Sequence, residues 1–250
     1  MNSAIHRFKQ TALAFSVALV TVPAWAVPTL QLDILGGTYD SGTDTIVASS
    51  NVFSVFAYLS DASLLADTYF LSAALTDAPN QNGNYGSFSV NGTPIIATLD
   101  MVYGTPPLET VLNGPGGAIW DPGDLAKHSI YPTYFKEFGF TFSAAQQSDT
   151  YNTELESGSG PKAGTGMYYK RFDIDIGGLG VGRGLHFDLY SEKFNKKGIG
   201  DLDIKYFAPF SHDAEAHVMT PVPEPETYAM LLAGLGLMGL VARRRKSRPF

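Results

Sequence analysis

Short stretches in which every second residue is apolar run through the middle of the chain, separated by turn residues. In NVFSVFAYLS, residues 51–60, Phe53, Val55, Ala57 and Leu59 share one wholly apolar face. Val52, Ser54, Phe56, Tyr58 and Ser60 share the other. A period of two predicts a strand, because successive side chains of extended backbone point to opposite faces. The same reading predicts strands at 30–34, 45–49, 68–75, 86–90, 94–102, 138–142, 167–176, 184–190 and 202–207. Between the first two of these, GGTYDSGTD has hairpin chemistry. One short helical turn fits within 62–70, but no longer window of the central region repeats apolar residues at i, i+3, i+4 and i+7. Two segments, 104–132 and 144–166, read as long loops, which in compact domains are often functional or mobile. The pattern predicts an all-β fold: a single antiparallel β-sandwich, jelly-roll-like, over residues 27–220.

Composition agrees. Charged residues make up 16% of the 250, while Gly (26), Pro (15), Tyr (13) and Phe (16) are plentiful, which suits pleated aromatic faces joined by tight corners. The net charge of −7 conceals an asymmetry. Seven of the 17 basic residues lie at the two ends, and residues 27–223 carry 10 basic against 22 acidic, a balance of −12. Such a surface repels phosphate backbones, so nucleic acid is not an expected partner. With no cysteine, disulfides, thiolate metal sites and a Cys nucleophile are excluded.

Both ends read as processing signals. Residues 1–26 open with a basic region (Arg7, Lys9), continue through an apolar run at 11–22 and close on Ala24-Trp25-Ala26. Small residues at Ala24 and Ala26 suit signal peptidase, so cleavage is expected after Ala26. At the other end, residues 221–248 form a sorting or anchor segment: Val222-Pro223-Glu224-Pro225, an uncharged stretch at 228–242, and a basic tail at 243–248. As a helix, 15 residues extend about 22 Å, short of a hydrocarbon core of roughly 30 Å. A transmembrane helix at 228–242 is expected, with Arg243, Arg244 and Arg245 holding the tail in the cytoplasm.

That order of features (VPEP, apolar helix, arginine tail) resembles the PEP-CTERM sorting signal of Gram-negative bacteria. The resemblance implies that an exosortase, an integral membrane transpeptidase, recognises Val222, Pro223, Glu224 and Pro225 and removes the tail. It also implies transient residence in the inner membrane, then sorting to the cell surface or to a biofilm matrix in hosts that make exopolysaccharide. The tag is also labelled the ice-binding protein C-terminal domain, but ice binding predicts a flat, regular Thr-rich face, and Thr is not periodic in this sequence. The start LQLDILGGTYDSGTDTIVA and the later FAPFSHDAEAHV resemble the choice-of-anchor N family of bacterial surface proteins, which implies no known activity.

Candidate chemistry in the central region is sparse. In RFDIDIGGLGVGRGLHFDLY, residues 171–190, a hairpin with Ile176 near Leu185 would set Asp175 opposite His186 and Asp173 opposite Asp188. Like charges facing each other call for a cation, and Ca²⁺ accepts carboxylates in flexible geometry, so Asp173, Asp175 and Asp188 form a candidate Ca²⁺ site. The competing reading is a solvated face balanced by Lys170, Arg171 and Lys205. The glycines at 177–184 precede a strand pattern, not the helix a phosphate loop needs. Residues 40–44, DSGTD, read as a hairpin turn in preference to a calcium loop. His212, Asp213 and His217 permit Zn²⁺ binding or acid–base work, although a surface strand is the simpler reading. Tyr131, Tyr134, Phe135 and Trp120 read as packing residues or as an aromatic platform for sugars. No nucleophile elbow is present, and no cofactor other than Ca²⁺ is suggested. The expected function is therefore a non-enzymatic structural, adhesive or glycan-binding surface protein, with a secreted carbohydrate-active hydrolase as the alternative. Signal peptidase, the exosortase and exopolysaccharide are the expected partners.

Overall fold

The computed structural model describes residues 27–76, 83, 85–108, 130–194, 202–219 and 230–239. The protein is built mostly of strands, arranged in two sheets. The first sheet runs β1 (Leu30–Ile34), β4 (Val52–Leu59), β11 (Gly166–Asp175), β6 (Ser87–Val90) and β7 (Thr93–Ile96), with β10 (Gln147–Asp149) also on β11. All its pairings are antiparallel. The second runs β2 (Thr38–Asp40), β3 (Thr45–Val47), β14 (Asp213–His217), β12 (Gly184–Phe194), β5 (Tyr69–Thr76), β9 (Thr133–Phe140) and β8 (Val102–Gly104). There β13 (Leu202–Phe207) pairs with the far end of β12. This second sheet is mixed, since β14 and β3 run parallel, where a wholly antiparallel arrangement was expected.

The two sheets share a core. Leu32, Val55 and Ile174 from the first meet Leu71, Phe187 and Ala214 from the second in one buried cluster. The rings of Phe53 and Phe187 touch edge-on, centroids 6.1 Å apart, and those of Phe140 and Phe172 at 5.1 Å. Each fully buried side chain of this size contributes about 1.5–3 kcal/mol of transfer free energy.

The expected hairpin between 171–176 and 184–190 does not form. β11 lies in the first sheet and β12 in the second. Their apolar rows, Phe172–Ile174–Ile176 and Leu185–Phe187–Leu189, both line the core instead of lying side by side. The Gly-rich connection makes the crossing. Gly86 bridges Leu179 there, at φ +86, where a Cβ would stand 2.1 Å from the Gly178 carbonyl.

The segment at 144–166 is tied down over the outer face of the first sheet. Gln31 and Asp33 of β1 point outward yet are fully buried beneath it. Gln31 Nε2 donates to the Tyr151 carbonyl at 2.9 Å, and Gln31 Oε1 accepts from Thr153 N–H at 3.0 Å. Tyr151 and Met167 pack there on Phe56 and Tyr58, which explains why both faces of β4 are apolar.

Candidate functional site

On β12 the core residues Leu185, Phe187 and Leu189 alternate with His186, Asp188 and Tyr190, which must face outward. On β14, Ala214 and Ala216 enter the core, so Asp213, Glu215 and His217 take the same outer side. The register sets His186 across from Glu215 on one flank and Ala74 on the other, with Asp188 across from Ser72. A polar row thus crosses the outer face of the second sheet, but it is not open to water. Tyr131, Phe135 and Tyr190 form a second cluster on this side, packed against Ile130, Leu108 and Ile204. His186, Asp188 and Asp213 are only 1%, 2% and 1% exposed.

His186 Nε2 lies 3.5 Å from Asp188 Oδ1 and 3.7 Å from Asp213 Oδ2, while its Nδ1 faces Glu215 Oε2 at 3.9 Å. The Tyr131 hydroxyl donates to the other Asp188 oxygen, Oδ2. Glu215 Oε1 pairs with His217 Nε2 at 2.7 Å. Neither oxygen of Asp213 has a hydrogen-bond partner among the described residues. Burial and the neighbouring Asp188 push the Asp213 carboxyl up to about 8, against the opposing pull of His186. For His186, burial favours the neutral ring, but Asp188, Asp213 and Glu215 outweigh it and raise its pKa. For Glu215, burial is outweighed by His186 and His217, which bring it down to about 2. The arrangement can trap a proton between His186 and its carboxylates, or hold a cation: one donor atom from each of His186, Asp188 and Asp213 lies within 4.8 Å of the others.

The sequence-predicted Ca²⁺ set does not converge. Asp173 and Asp175 lie on the first sheet and Asp188 on the second. Asp173 is exposed and accepts from Ser54 Oγ at 2.9 Å and Arg171 Nε at 2.7 Å, and Asp175 accepts from Gly177 N–H at 2.8 Å. Of the cations expected to balance a solvated face here, Arg171 meets Asp173, while Lys205 pairs with Asp67 at 2.8 Å; Asp188 is buried. The 40–44 segment is the turn of the β2–β3 hairpin, with Gly42 N–H donating to Asp40 Oδ1 at 2.8 Å. The strand at Asp213–His217, expected at the surface, is interior to its sheet and largely buried. His212 is separate from the cluster. Buried in a short 3₁₀ turn, its Nε2 lies 3.0 Å from Asn152 Oδ1, and desolvation lowers its pKa to about 4. Tyr131, Tyr134 and Phe135 are buried and offer no exposed platform. Trp120, Ala24, Ala26, the 222–225 motif and Arg243–Arg245 lie outside the described residues.

An open groove of about 650 Å³ runs between β7 and β9, lined by Asn91, Asp100, Lys136, Phe138, Phe140 and Lys170 among others. Lys136 Nζ donates to the Asp100 carbonyl at 3.0 Å. Asp100 Oδ2 accepts from Ile96 N–H at 2.7 Å. Glu137, also on the lining, uses Oε1 to accept from Leu108 N–H at 2.7 Å and from the Tyr190 hydroxyl.

Beyond the two sheets, the chain has a helix at 230–239 whose apolar side chains are exposed, Met230 and Leu232 by 74% and 68%. Residues 221–246 match the PEP-CTERM protein-sorting motif. That motif implies an exported chain carrying a C-terminal sorting signal, processed by an exosortase. No curated protein matches the chain. The described helix, 230–239, is too short to cross a membrane, the rest of the expected 228–242 span lies outside the described residues, and among the described residues no other helix is long and apolar enough to do so.

Proposed function

We propose that this chain is a non-enzymatic component of the cell surface or extracellular matrix of a Gram-negative bacterium. Residues 27–220 act as its structural or adhesive ectodomain and bind exopolysaccharide. In this reading signal peptidase cuts after Ala26, and the C-terminal segment is held briefly at the inner membrane until the exosortase removes it. In this reading the two sheets form one jelly-roll-like sandwich, and residues 28–218 are the choice-of-anchor N ectodomain that the sequence resembles.

The groove between β7 and β9 is the proposed glycan contact. Half-buried Phe138 and Phe140 offer apolar surface for sugar rings, while Asn91, Lys136 and Lys170 offer polar groups to hydroxyl or acidic substituents. The observation that carries binding over hydrolysis is the state of the two groove carboxylates. Asp100 and Glu137 each accept backbone N–H donors, and Glu137 also takes the Tyr190 hydroxyl, so both serve the fold. A hydrolase would set a carboxyl pair on either side of one glycosidic bond, whereas each of these two is oriented by the protein's own backbone.

The test is incubation of the purified protein with its host's exopolysaccharide. Retention on the polymer, weakened in Lys136→Glu and Lys170→Glu, with polymer length unchanged, is the expected result. Release of new reducing ends that stops in Glu137→Gln would favour the hydrolase instead.

A further inference from the structure

We infer that the buried cluster under Tyr131 is a metal site, in which His186, Asp188 and Asp213 bind one transition-metal dication of the Zn²⁺ class.

Asp213 is the observation that points to a ligand. It is 1% exposed, turned toward His186 and Asp188, and neither of its oxygens has a hydrogen-bond partner among the described residues. Protonation relieves this only in part. An ionised Asp213 adds a second buried negative charge beside Asp188, offset only by a proton on His186 at 3.7 Å, and in either state its oxygens stand beyond hydrogen-bond distance of that ring. A dication between the three side chains satisfies Asp213 and, with a neutral imidazole and two carboxylates, leaves a site of zero net charge.

The spacing fits. Separations of 3.5 and 3.7 Å from His186 Nε2 to the two carboxylate oxygens are long for hydrogen bonds. They approach the edge of a tetrahedron, about 3.4 Å, that follows from metal–ligand bonds of about 2.0–2.2 Å. The supporting contacts also have the form a metal centre uses. Tyr131 holds Asp188 Oδ2 and leaves Oδ1 on the His186 side, so the carboxylate is presented through a single oxygen. Glu215 Oε2 stands on the Nδ1 side of His186 at 3.9 Å, too far for a hydrogen bond, where its charge favours a proton on Nδ1 and leaves Nε2 to a metal.

Mixed nitrogen and oxygen donors set the class. Ca²⁺ prefers an all-oxygen shell of six to eight ligands, whereas imidazole with carboxylates suits Zn²⁺ and its neighbours. The inference is independent of the groove and of glycan binding. The metal would pin β12 to β14 beneath the Tyr131 segment.

The test uses the full-length protein in mild detergent, stripped with chelator, dialysed and titrated with Zn²⁺, with bound metal measured per chain. One Zn²⁺ per chain is expected, with little competition from Ca²⁺. Binding should disappear in Asp213→Asn and His186→Gln and stay unchanged in Asp173→Asn. Because a substitution in a buried cluster can prevent folding, Tyr131→Phe, which keeps the ring, is the second variant. Loss of a supporting hydrogen bond should weaken Zn²⁺ binding roughly 10- to 100-fold. No stoichiometric uptake would overturn the site. So would uptake that neither Tyr131→Phe nor any folded variant of His186 or Asp213 weakens.

Discussion

Asp33 Oδ1 accepts the Gly158 N–H at 2.7 Å, joining two residues 125 positions apart. Through Oδ2 the same carboxylate takes the Gly160 N–H at 3.0 Å and the Tyr151 hydroxyl at 3.1 Å. One buried side chain on β1 therefore organises most of the segment that roofs the first sheet. Replacing it leaves several buried donors without an acceptor, at about 1–3 kcal/mol each before relaxation. Asp33→Ala should destabilise the protein by about 3 kcal/mol and open 150–160 to proteolysis. Urea unfolding and limited digestion check both, and a digestion pattern identical to wild type would contradict the role.

The same carboxylate gives a signed pH dependence. Burial raises its pKa above the ordinary value of 3.8, only partly offset by Gly158, Gly160, Tyr151 and Ile34. The native state therefore holds this proton more tightly than the unfolded chain. Its stabilising contribution is complete below pH 3.8 and is lost as pH rises through the raised native value. Asp33→Asn does not titrate, so the stability margin of wild type over this variant should shrink as pH rises from about 3 to 7. Chemical denaturation at several pH values measures the margin. A margin that widens with pH would contradict the sign.

Gly158 is confined by backbone. Its φ is +79, and a Cβ there would stand 2.3 Å from the Gly37 carbonyl oxygen, an atom that cannot rotate away. Left-handed strain and steric overlap together predict that Gly158→Ala costs about 2–4 kcal/mol. Gly182, also at positive φ (+78) but with nothing within 4 Å, should show the strain alone, about 1 kcal/mol. Thermal unfolding of the two variants compares them directly.

The core contact between the sheets is testable through Phe53 and Phe187. Phe187→Ala should cost about 3–5 kcal/mol. A double-mutant cycle with Phe53→Ala should return a coupling of about 0.5–1.5 kcal/mol for the edge-on rings. Additive effects would mean that the rings do not meet.

The strands were legible because alternation is a local signal. Phe53, Val55, Ala57 and Leu59 face the core as the pattern predicts, and so do Leu185, Phe187 and Leu189. Sheet membership was not legible. An apolar row looks the same whether its neighbour lies beside it or across the core, so β11 and β12 read as a hairpin. A continuous strand over 94–102 fails for a related reason: Thr98, at φ +69, lies in a turn separating β7 from β8, which Asp100 closes on Ile96 N–H. The parallel partner of β3 comes from residues 213–217, too distant for any periodicity to reveal. The site suffered most from this. His186 and Asp213 each stood out by residue type, yet their meeting depends on β14 pairing with β12. The alternation D-A-E-A-H held the available hint, since small apolar residues between acids mark a strand with one face packed inward. Tyr131 carried no such signal.

In the function proposed here, the C-terminal segment directs sorting and the two-sheet region before it is what the cell displays. Intact-mass and terminal-peptide mass spectrometry of the protein recovered from the surface of its host tests this most directly. The account predicts an N-terminus at Val27 and a C-terminus at or near Val222–Pro225, without the 230–239 helix or the arginine tail. A surface-displayed protein that retains its sequence through Phe250 would contradict it.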